Sequence, residues 1–145
     1  MQPIAWGDTM RLLMFQAKRF WWKSFSRTLE SVEEIQVEDQ MTDAVVVFMQ
    51  VEAKDAAGGD DVFRKTLKNV KWLANKRDLK NVVLHSFTHL GGENAEPEFA
   101  AAFIGELADR LAATGYAVKV TPFGYFNEWE LSVYGESLGK VWKEI

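Results

Sequence analysis

Short apolar stretches along the chain predict a domain built mainly on β-strands. The clearest is MTDAVVVFMQVEA at residues 41–53, where three consecutive valines follow Ala44. Because β-branched residues on both faces are typical of a strand covered on both sides, this stretch is predicted to lie in the middle of a sheet. The apolar residues 10–17 predict a buried strand, and the aromatic and basic residues 18–27 a second, half-exposed one. Further strands are predicted at residues 81–87, 116–120 and 128–134.

Two longer segments place apolar residues every three or four positions, which is the spacing of one helical face. The first ends near Arg77, and the second begins at Pro97, a residue suited to the first turn of a helix. The apolar positions are Phe63, Leu67, Val70 and Ala74 in the first helix, and Phe99, Phe103, Leu107 and Leu111 in the second. Residues 136–145 are assigned a last short helix. The order βββαβαββ plus this helix predicts an α+β domain, with a mixed β-sheet core and two main helices on one side.

Composition supports a single packed domain and narrows the chemistry. With 145 residues, 48% of them hydrophobic, the chain is long enough for a substantial core. It has no cysteine, which excludes disulfides, a cysteine nucleophile and thiolate metal sites, and two histidines do not favour a histidine-rich metal site. We therefore expect neither a metal nor another cofactor. Residues 1–9 read as an N-terminal extension to a domain at 10–145, and without a secretory signal or a membrane-length apolar run we expect a cytoplasmic location.

Charge is unevenly distributed along a chain of formal net charge −4. Residues 63–80 contain seven lysines and arginines against one acid, and residues 10–28 contain five basic residues and no acid. Because salt screens charges beyond roughly 10 Å, a local basic face can attract a polyanion although the whole chain is acidic. The alternative is that a lysine-rich helix is simply well solvated, and composition alone favours it.

Two loops at strand ends are candidates for a site, since binding residues concentrate at such loops. The first is SFTHLGG at residues 86–92, where His89 precedes two glycines whose backbone can approach a ligand closely. The second is the bend Pro122–Tyr125, in which Gly124 can adopt a conformation closed to other residues. The residues alone leave open whether His89 is an ordinary loop histidine and whether the bend is an aromatic corner of the core or the wall of a pocket. There is no phosphate-binding loop and no catalytic triad pattern.

Taken together, three stretches resemble the archaeal-type editing domain of threonyl-tRNA synthetase, whose fold is shared with the D-aminoacyl-tRNA deacylases. They are MRLLMFQAKRFWWK at 10–23, NVVLHSFTHLGGENAEP at 81–97 and GYAVKVTPFGYFNEWELSVYGESLG at 115–139. The most specific elements are the Phe-x-His-Leu sequence ending at Leu90 and the Pro-Phe-Gly-Tyr sequence at Pro122–Tyr125, in this order and roughly 30 residues apart. The resemblance covers nearly the whole chain from Met10 onward.

This resemblance implies an arrangement for the site. Backbone atoms of the two loops hold the aminoacyl group, which makes Phe87, Thr88, Leu90, Pro122, Phe123, Gly124 and Tyr125 substrate-binding residues. His89 lines the opposite wall. The family's lysine and glutamate are replaced here by Asn127 and Lys140, and a histidine and an aspartate by Gln16 and Lys18. An amide cannot replace an amine as an acid–base group. One hypothesis is therefore that Lys140 restores the amine, so that His89, Asn127 and Lys140 form the catalytic set.

The implied activity is hydrolysis of serine wrongly attached to threonine tRNA, performed in trans by a free-standing domain. Two alternatives are a catalytically decayed module that binds tRNA or a synthetase, and a deacylase of altered aminoacyl specificity. Expected partners are the aminoacylated 3′ end of tRNA, a second copy in a homodimer and a separate threonyl-tRNA synthetase, without a membrane. Trp21 or Trp22 could stack on the tRNA end or pack in the dimer interface. The residues expected to contact tRNA are Lys18, Arg19, Lys23, Arg64, Lys68 and Lys71.

Overall fold

A mixed six-stranded sheet carrying two helices forms the part of the chain that the computed structural model describes, residues 10–52, 55–88, 90 and 94–145. The predicted α+β class, with a mixed sheet and two main helices, is confirmed. The predicted N-terminal extension, residues 1–9, and His89 lie outside the described residues. The elements are β1 (Arg11–Arg27), β2 (Glu38–Gln50), α1 (Asp55–Asn75), β3 (Asn81–Ser86), α2 (Pro97–Ala113), β4 (Ala117–Val120), β5 (Tyr125–Val133) and β6 (Lys140–Glu144).

The order of strands in the sheet is β4-β3-β2-β1-β5, and β6 also pairs with β1. The pairs β2–β3 and β3–β4 are parallel, which requires the crossover connections that α1 and α2 provide. The remaining pairs are antiparallel. Strand β6 pairs with the first residues of β1, and β5 pairs with its second half, so that both lie along the same edge of this long strand.

Residues 11–27 form one strand, and the prediction of two separate strands was wrong. β1 stays in register with β2 from Arg11, opposite Gln50, to Lys23, opposite Glu38. The apparent break at Lys18 reflects an irregularity, because the pairing of β1 with β5 shifts between Ala17 and Arg19. Even-numbered residues before this point, such as Leu12, pack on the helix side of the sheet, whereas the even-numbered Phe20 and Trp22 beyond it pack on the other face. The hydrophobic pattern therefore changes although the strand continues.

The short helix predicted for residues 136–145 was also wrong. A single 3-10 turn at Ser137–Gly139 leads directly into β6. The backbone of β6 pairs with β1, and the side chain of Val141 packs against the core on the helix side of the sheet. A five-residue strand at a sheet edge depends on its partner strand more than on its own sequence, which is why a local pattern misassigned it.

The two faces of the sheet are covered differently. Both helices pack on one face over an aliphatic core that includes Leu12, Val47 and Leu107. The other face carries an aromatic cluster centred on Phe20 and Phe48. None of the helices in the described part of the chain is long and apolar enough to cross a membrane.

The sheet curls around its aromatic face. Phe48 of β2 lies opposite Leu13, near the start of β1, whereas Trp129 of β5 lies opposite Trp22, far along the same strand. Even so, the ring centroids of Phe48 and Trp129 are only 5.1 Å apart. The second half of β1, together with β5, therefore folds back over β2, and the aromatic face becomes concave.

Candidate functional site

The two predicted loops meet at one cavity of about 410 Å³ beside the carboxyl ends of β2 and β3. Phe87 and Thr88, which follow β3, line one side, and the segment from Pro122 to Asn127 lines another. Leu90 is not among the lining residues. The cavity wall extends to the aromatic face, because His85 and Trp129, which both pack against Phe48, also line it.

The bend at Pro122–Tyr125 carries the chain across the sheet, from β4 at one edge to β5 at the other. It is tied at both ends by backbone hydrogen bonds. The N–H of Thr121 donates to the carbonyl of Leu84 at 3.0 Å, and the N–H of Thr28 donates to the carbonyl of Gly124 at 2.7 Å. Gly124 has φ of 79°, a backbone conformation that side chains other than glycine rarely adopt. The bend is thus a fixed element.

The loop between β1 and β2 supports the bend from outside. The hydroxyl of Tyr125 accepts a hydrogen bond from the N–H of Ile35 at 2.7 Å and donates one to the carbonyl of Glu33. A Cβ atom at position 124 would lie 2.9 Å from Cγ1 of Val32, which shows how closely this loop approaches the backbone. The sequence left open whether the bend is a corner of the core or the wall of a pocket. In the structure it is both, because Phe123 packs against the core and the bend lines the cavity.

Gln50, at the end of β2, holds the loop that follows β3. Its side-chain oxygen accepts a hydrogen bond from the N–H of Leu90 at 3.0 Å, and its side-chain nitrogen donates to Oδ1 of Asn94 at 2.8 Å. Gln50 is 1% exposed, so these bonds compensate for the burial of its amide. Sequence reasoning missed Gln50. The available signal was an amide at the end of an apolar strand.

His85 is the second residue of this site that sequence reasoning missed. It lines the cavity and is 4% exposed, and its Nδ1 lies 2.9 Å from Oγ1 of Thr121. The ring packs against Phe48, with centroids 4.6 Å apart. Burial disfavours the charged ring and lowers the pKa of His85 to about 4, so the imidazole is neutral at pH 7. The available signal was a lone histidine inside the apolar stretch NVVLHSF.

Of the predicted catalytic set, Asn127 lies at the cavity. Its Nδ2 donates to the carbonyl of Pro122 at 3.3 Å, while its buried Oδ1 has no hydrogen-bond partner among the described residues. Lys140 begins β6, opposite Phe15 near the start of β1, and is not among the lining residues. The cavity wall at Asn127 instead pairs with the far end of β1, at Ser24. The structure therefore places Lys140 away from the cavity.

The two other residues to which the resemblance drew attention, Gln16 and Lys18, also lie away from the cavity. Gln16 is buried on the helix side, where its Nε2 donates to the carbonyl of Leu73 at 3.0 Å. Lys18 is exposed at the irregularity of β1, with its ammonium 5.8 Å from the ring centroid of Tyr134. Neither side chain is among the lining residues of the cavity.

The basic residues predicted to contact tRNA form two separate groups. On β1, Arg19 bonds to Gln40 and pairs with Glu130, and Lys23 lies between Glu38 and Glu128 in the strand register, so acids offset this group. On α1, Arg64 pairs with Asp61. The remaining residues of the two groups, Lys18, Lys68 and Lys71, make no ion pair within the described chain.

Lys68 belongs to a groove of about 610 Å³ between α1 and β6. Lys65, Trp72 and Lys143 also line this groove. The ammonium of Lys143 lies 5.1 Å from the ring centroid of Trp72, and that of Lys76 lies 6.0 Å from it. We call this feature, defined by Lys65, Lys68, Trp72 and Lys143, the lysine groove.

Trp22 cannot stack on RNA as the sequence suggested, because it is buried in the aromatic cluster, 5.5 Å from Phe20. Trp21 donates its ring N–H to Glu38 at 2.9 Å. Within the described residues there is no group of three or more histidine, aspartate or glutamate side chains placed to hold a metal ion.

Solved structures with the same fold define the class of domain. The chain matches a probable eukaryotic D-amino acid tRNA deacylase with a TM-score of 0.62 and 11% identity, over 94% of this chain and 100% of the other. It matches the c-Myc DNA unwinding element binding protein with a TM-score of 0.59 and 16% identity, over 93% and 97%. These identities establish the fold alone, which is that of the D-aminoacyl-tRNA deacylases.

Sequence comparison then places the chain within one family. Residues 10–145 match the model of the archaea-specific editing domain of threonyl-tRNA synthetase, and the chain belongs to this family. Similar relatives are threonine–tRNA ligases of Methanoregula boonei and Methanosphaerula palustris, both 31% identical over 94% of this chain. The ligase of Thermococcus onnurineus is 29% identical over the same share. The chain spans only 22% of the length of these relatives. The resemblance predicted from the sequence is confirmed.

Proposed function

We propose that this domain hydrolyses the ester between a wrongly attached amino acid and tRNA, with seryl-tRNA(Thr) as substrate, and that it does so in trans in the cytoplasm. The observation that carries the proposal is the cavity. In a chain of an editing-domain family, two loops far apart in sequence border one cavity beside the strand ends. Such a space, mostly preformed and lined by few polar groups, is typical of small-ligand sites.

A separate hydrolytic site for serine has a physical reason. Serine lacks one methyl group of threonine, and a pocket distinguishes one such group by only about 1–3 kcal/mol. A separate hydrolytic site that rejects threonine sterically raises the overall selectivity. The volume of about 410 Å³ exceeds what a seryl group fills, so the cavity also has room for part of the terminal nucleoside.

The residues of the cavity favour hydrolysis by an oriented water. Asn127 is not an acid–base group, and His85 is a weak base because burial lowers its pKa to about 4. In the proposed reaction, the oxygen of a water bonds to the ester carbonyl carbon, and the bond from this carbon to the ribose oxygen breaks. One proton of the water passes to the ribose oxygen, which leaves as a hydroxyl. The amino acid departs as a carboxylate, and the other proton is released to solvent. The backbone of Pro122–Tyr125 holds the aminoacyl group. The proposed role of His89, on the wall opposite the bend, rests on the resemblance alone.

The experiment that tests this proposal measures deacylation of seryl- and threonyl-tRNA(Thr) by the 145-residue chain added to the charged tRNA. We expect seryl-tRNA to be hydrolysed at least about tenfold faster than threonyl-tRNA, as one methyl group allows. Because no synthetase is present in this assay, it also tests action in trans. Equal hydrolysis of both would contradict the proposed specificity.

A binding module is the second candidate, and Asn127 is the observation that favours it. The amide occupies a position where the family carries a lysine, and it is held by the carbonyl of Pro122. If the chain hydrolyses neither ester in this assay but still binds tRNA, the result supports the binding module.

The proposed contact with the tRNA body is the lysine groove. Within the described part of the chain, Lys65, Lys68 and Lys143 make no ion pair, so their charges are available to phosphates. Trp72 supplies a face on which an unpaired base can stack. Lys71 follows on the same helix, while Arg64 contributes less because Asp61 neutralises it.

The proposal extends to protein partners. We propose a homodimer in which a second copy covers exposed aromatic residues such as Trp129, 40% exposed, and Trp142, 45% exposed. Light scattering would give about twice the 16.5 kDa of one chain if this is right, and the monomer mass if it is wrong. A separate threonyl-tRNA synthetase is the second proposed partner.

A further inference from the structure

His85 has a place in the cavity wall that the proposed function does not use. We propose that its Nε2–H donates a hydrogen bond to the carbonyl oxygen of the scissile ester and stabilises the negative charge that develops there. This inference rests on the proposed ester hydrolysis in the same cavity. His85 lines the cavity wall between the two loops, and its ring is hydrogen-bonded to Thr121.

The hydrogen bond with Thr121 assigns the tautomer. The hydroxyl of Thr121 is buried, and Nδ1 of His85 at 2.9 Å is its partner in the described structure. If Nδ1 carried the proton and donated, the buried hydroxyl proton would lack an acceptor, at a cost of about 1–3 kcal/mol. The favourable arrangement has the hydroxyl donating to Nδ1. The proton of the neutral ring is then on Nε2.

Packing fixes the orientation of the ring. The centroid of the imidazole lies 4.6 Å from that of Phe48, 6.2 Å from Phe87 and 6.4 Å from Trp129. These rings restrict rotation of the imidazole, and Thr121 occupies Nδ1. Since His85 lines the cavity, Nε2 is the ring nitrogen that remains for a ligand.

A neutral, preorganised donor suits the charge change of ester hydrolysis. When water adds to the carbonyl carbon, an electron pair moves onto the carbonyl oxygen, and a fixed N–H in a dry site stabilises it without reorganisation. No proton leaves the ring. A neutral imidazole can serve as such a hydrogen-bond donor to a carbonyl oxygen in an enzyme. Asn127 does not offer an equivalent donor here, because its Nδ2 is directed at the carbonyl of Pro122.

Kinetics of variants test this role. We expect His85→Phe to lower kcat for seryl-tRNA about 100-fold with KM changed less than threefold, the size of effect seen when one oxyanion donor is lost. His85→Gln retains an N–H donor and is expected to recover at least tenfold of that loss. Unchanged kcat in His85→Phe, or equal loss in both variants with intact circular dichroism spectra, would overturn the inference.

A second measurement separates this inference from the proposed function. The chain has two histidines, so 15N-histidine labelling gives few ring signals, and the His85→Phe spectrum identifies those of His85. We expect a protonated Nε2 whose signal shifts when an adenosine carrying serine through a 3′-amide is added. If the wild type hydrolyses neither ester, the proposed function fails while this shift still supports the donor. A protonated Nδ1, or no shift on saturation with this compound, overturns it.

Discussion

Gly124→Val is expected to lower seryl-tRNA deacylation at least about 100-fold and to destabilise the fold by about 2–3 kcal/mol. The backbone at this position has φ of 79°, and a β-branched residue there costs of order 1–3 kcal/mol in strain. The new Cβ would also lie 2.9 Å from Cγ1 of Val32 and 3.1 Å from Cδ1 of Leu29. Relief of this contact moves the bend away from the loop that supports it, and the cavity wall moves with it. Deacylation rates and urea unfolding measure the two effects.

Gly105→Ala is the matched control for this substitution. Gly105 lies within α2, and a Cβ added there would meet open space out to 4 Å beyond its own helix. Alanine at this position is expected to stabilise the domain by about 0.5–1 kcal/mol without altering deacylation. Wild-type activity in a folded Gly124→Val protein would show that the bend does not shape the site.

Replacing Lys65, Lys68 and Lys143 together with alanine is expected to weaken tRNA binding at least about tenfold at low salt. Each lysine that contacts a phosphate releases counterions, so the slope of log K against log salt should fall by about 2–3 for the three residues. Fluorescence anisotropy with labelled, uncharged tRNA measures both quantities. Because the tRNA in this assay carries no ester, the result does not depend on hydrolysis.

Arg64→Ala is the control for the lysine groove. It removes one positive charge from the same helix, but that charge is already paired with Asp61, so we expect less than about a twofold change in affinity. A triple variant that binds tRNA like the wild type, with the same salt slope, would exclude the groove as the contact surface.

The sequence was sufficient for the features that depend on local pattern. The valine-rich stretch predicted the central strand β2, and the helical spacing that begins at Phe63 and Phe99 predicted α1 and α2. The motifs at Phe87–Leu90 and Pro122–Tyr125 predicted the family, and Phe87, Thr88 and Pro122–Tyr125 line the cavity. In each case the residues that carry the signal are close together in sequence.

What the sequence did not reveal depends on partners distant in sequence. The continuity of β1 follows from its pairing with β2, and β6 is a strand because its backbone pairs with the first residues of β1. Gln50 and His85 gain their importance from Leu90 and Thr121, which lie far along the chain. A single amide or histidine in an apolar strand indicates a buried polar contact, but it does not identify the partner.

In the proposed function, the cavity between the two loops receives the aminoacyl ester. A crystal structure of the chain with adenosine bearing serine through a 3′-amide tests this claim directly. We expect the seryl group between Thr88 and Gly124, with its carbonyl oxygen within hydrogen-bond reach of Nε2 of His85. An empty cavity at saturating concentrations of this compound, or a compound bound at another surface, would contradict the proposed substrate site.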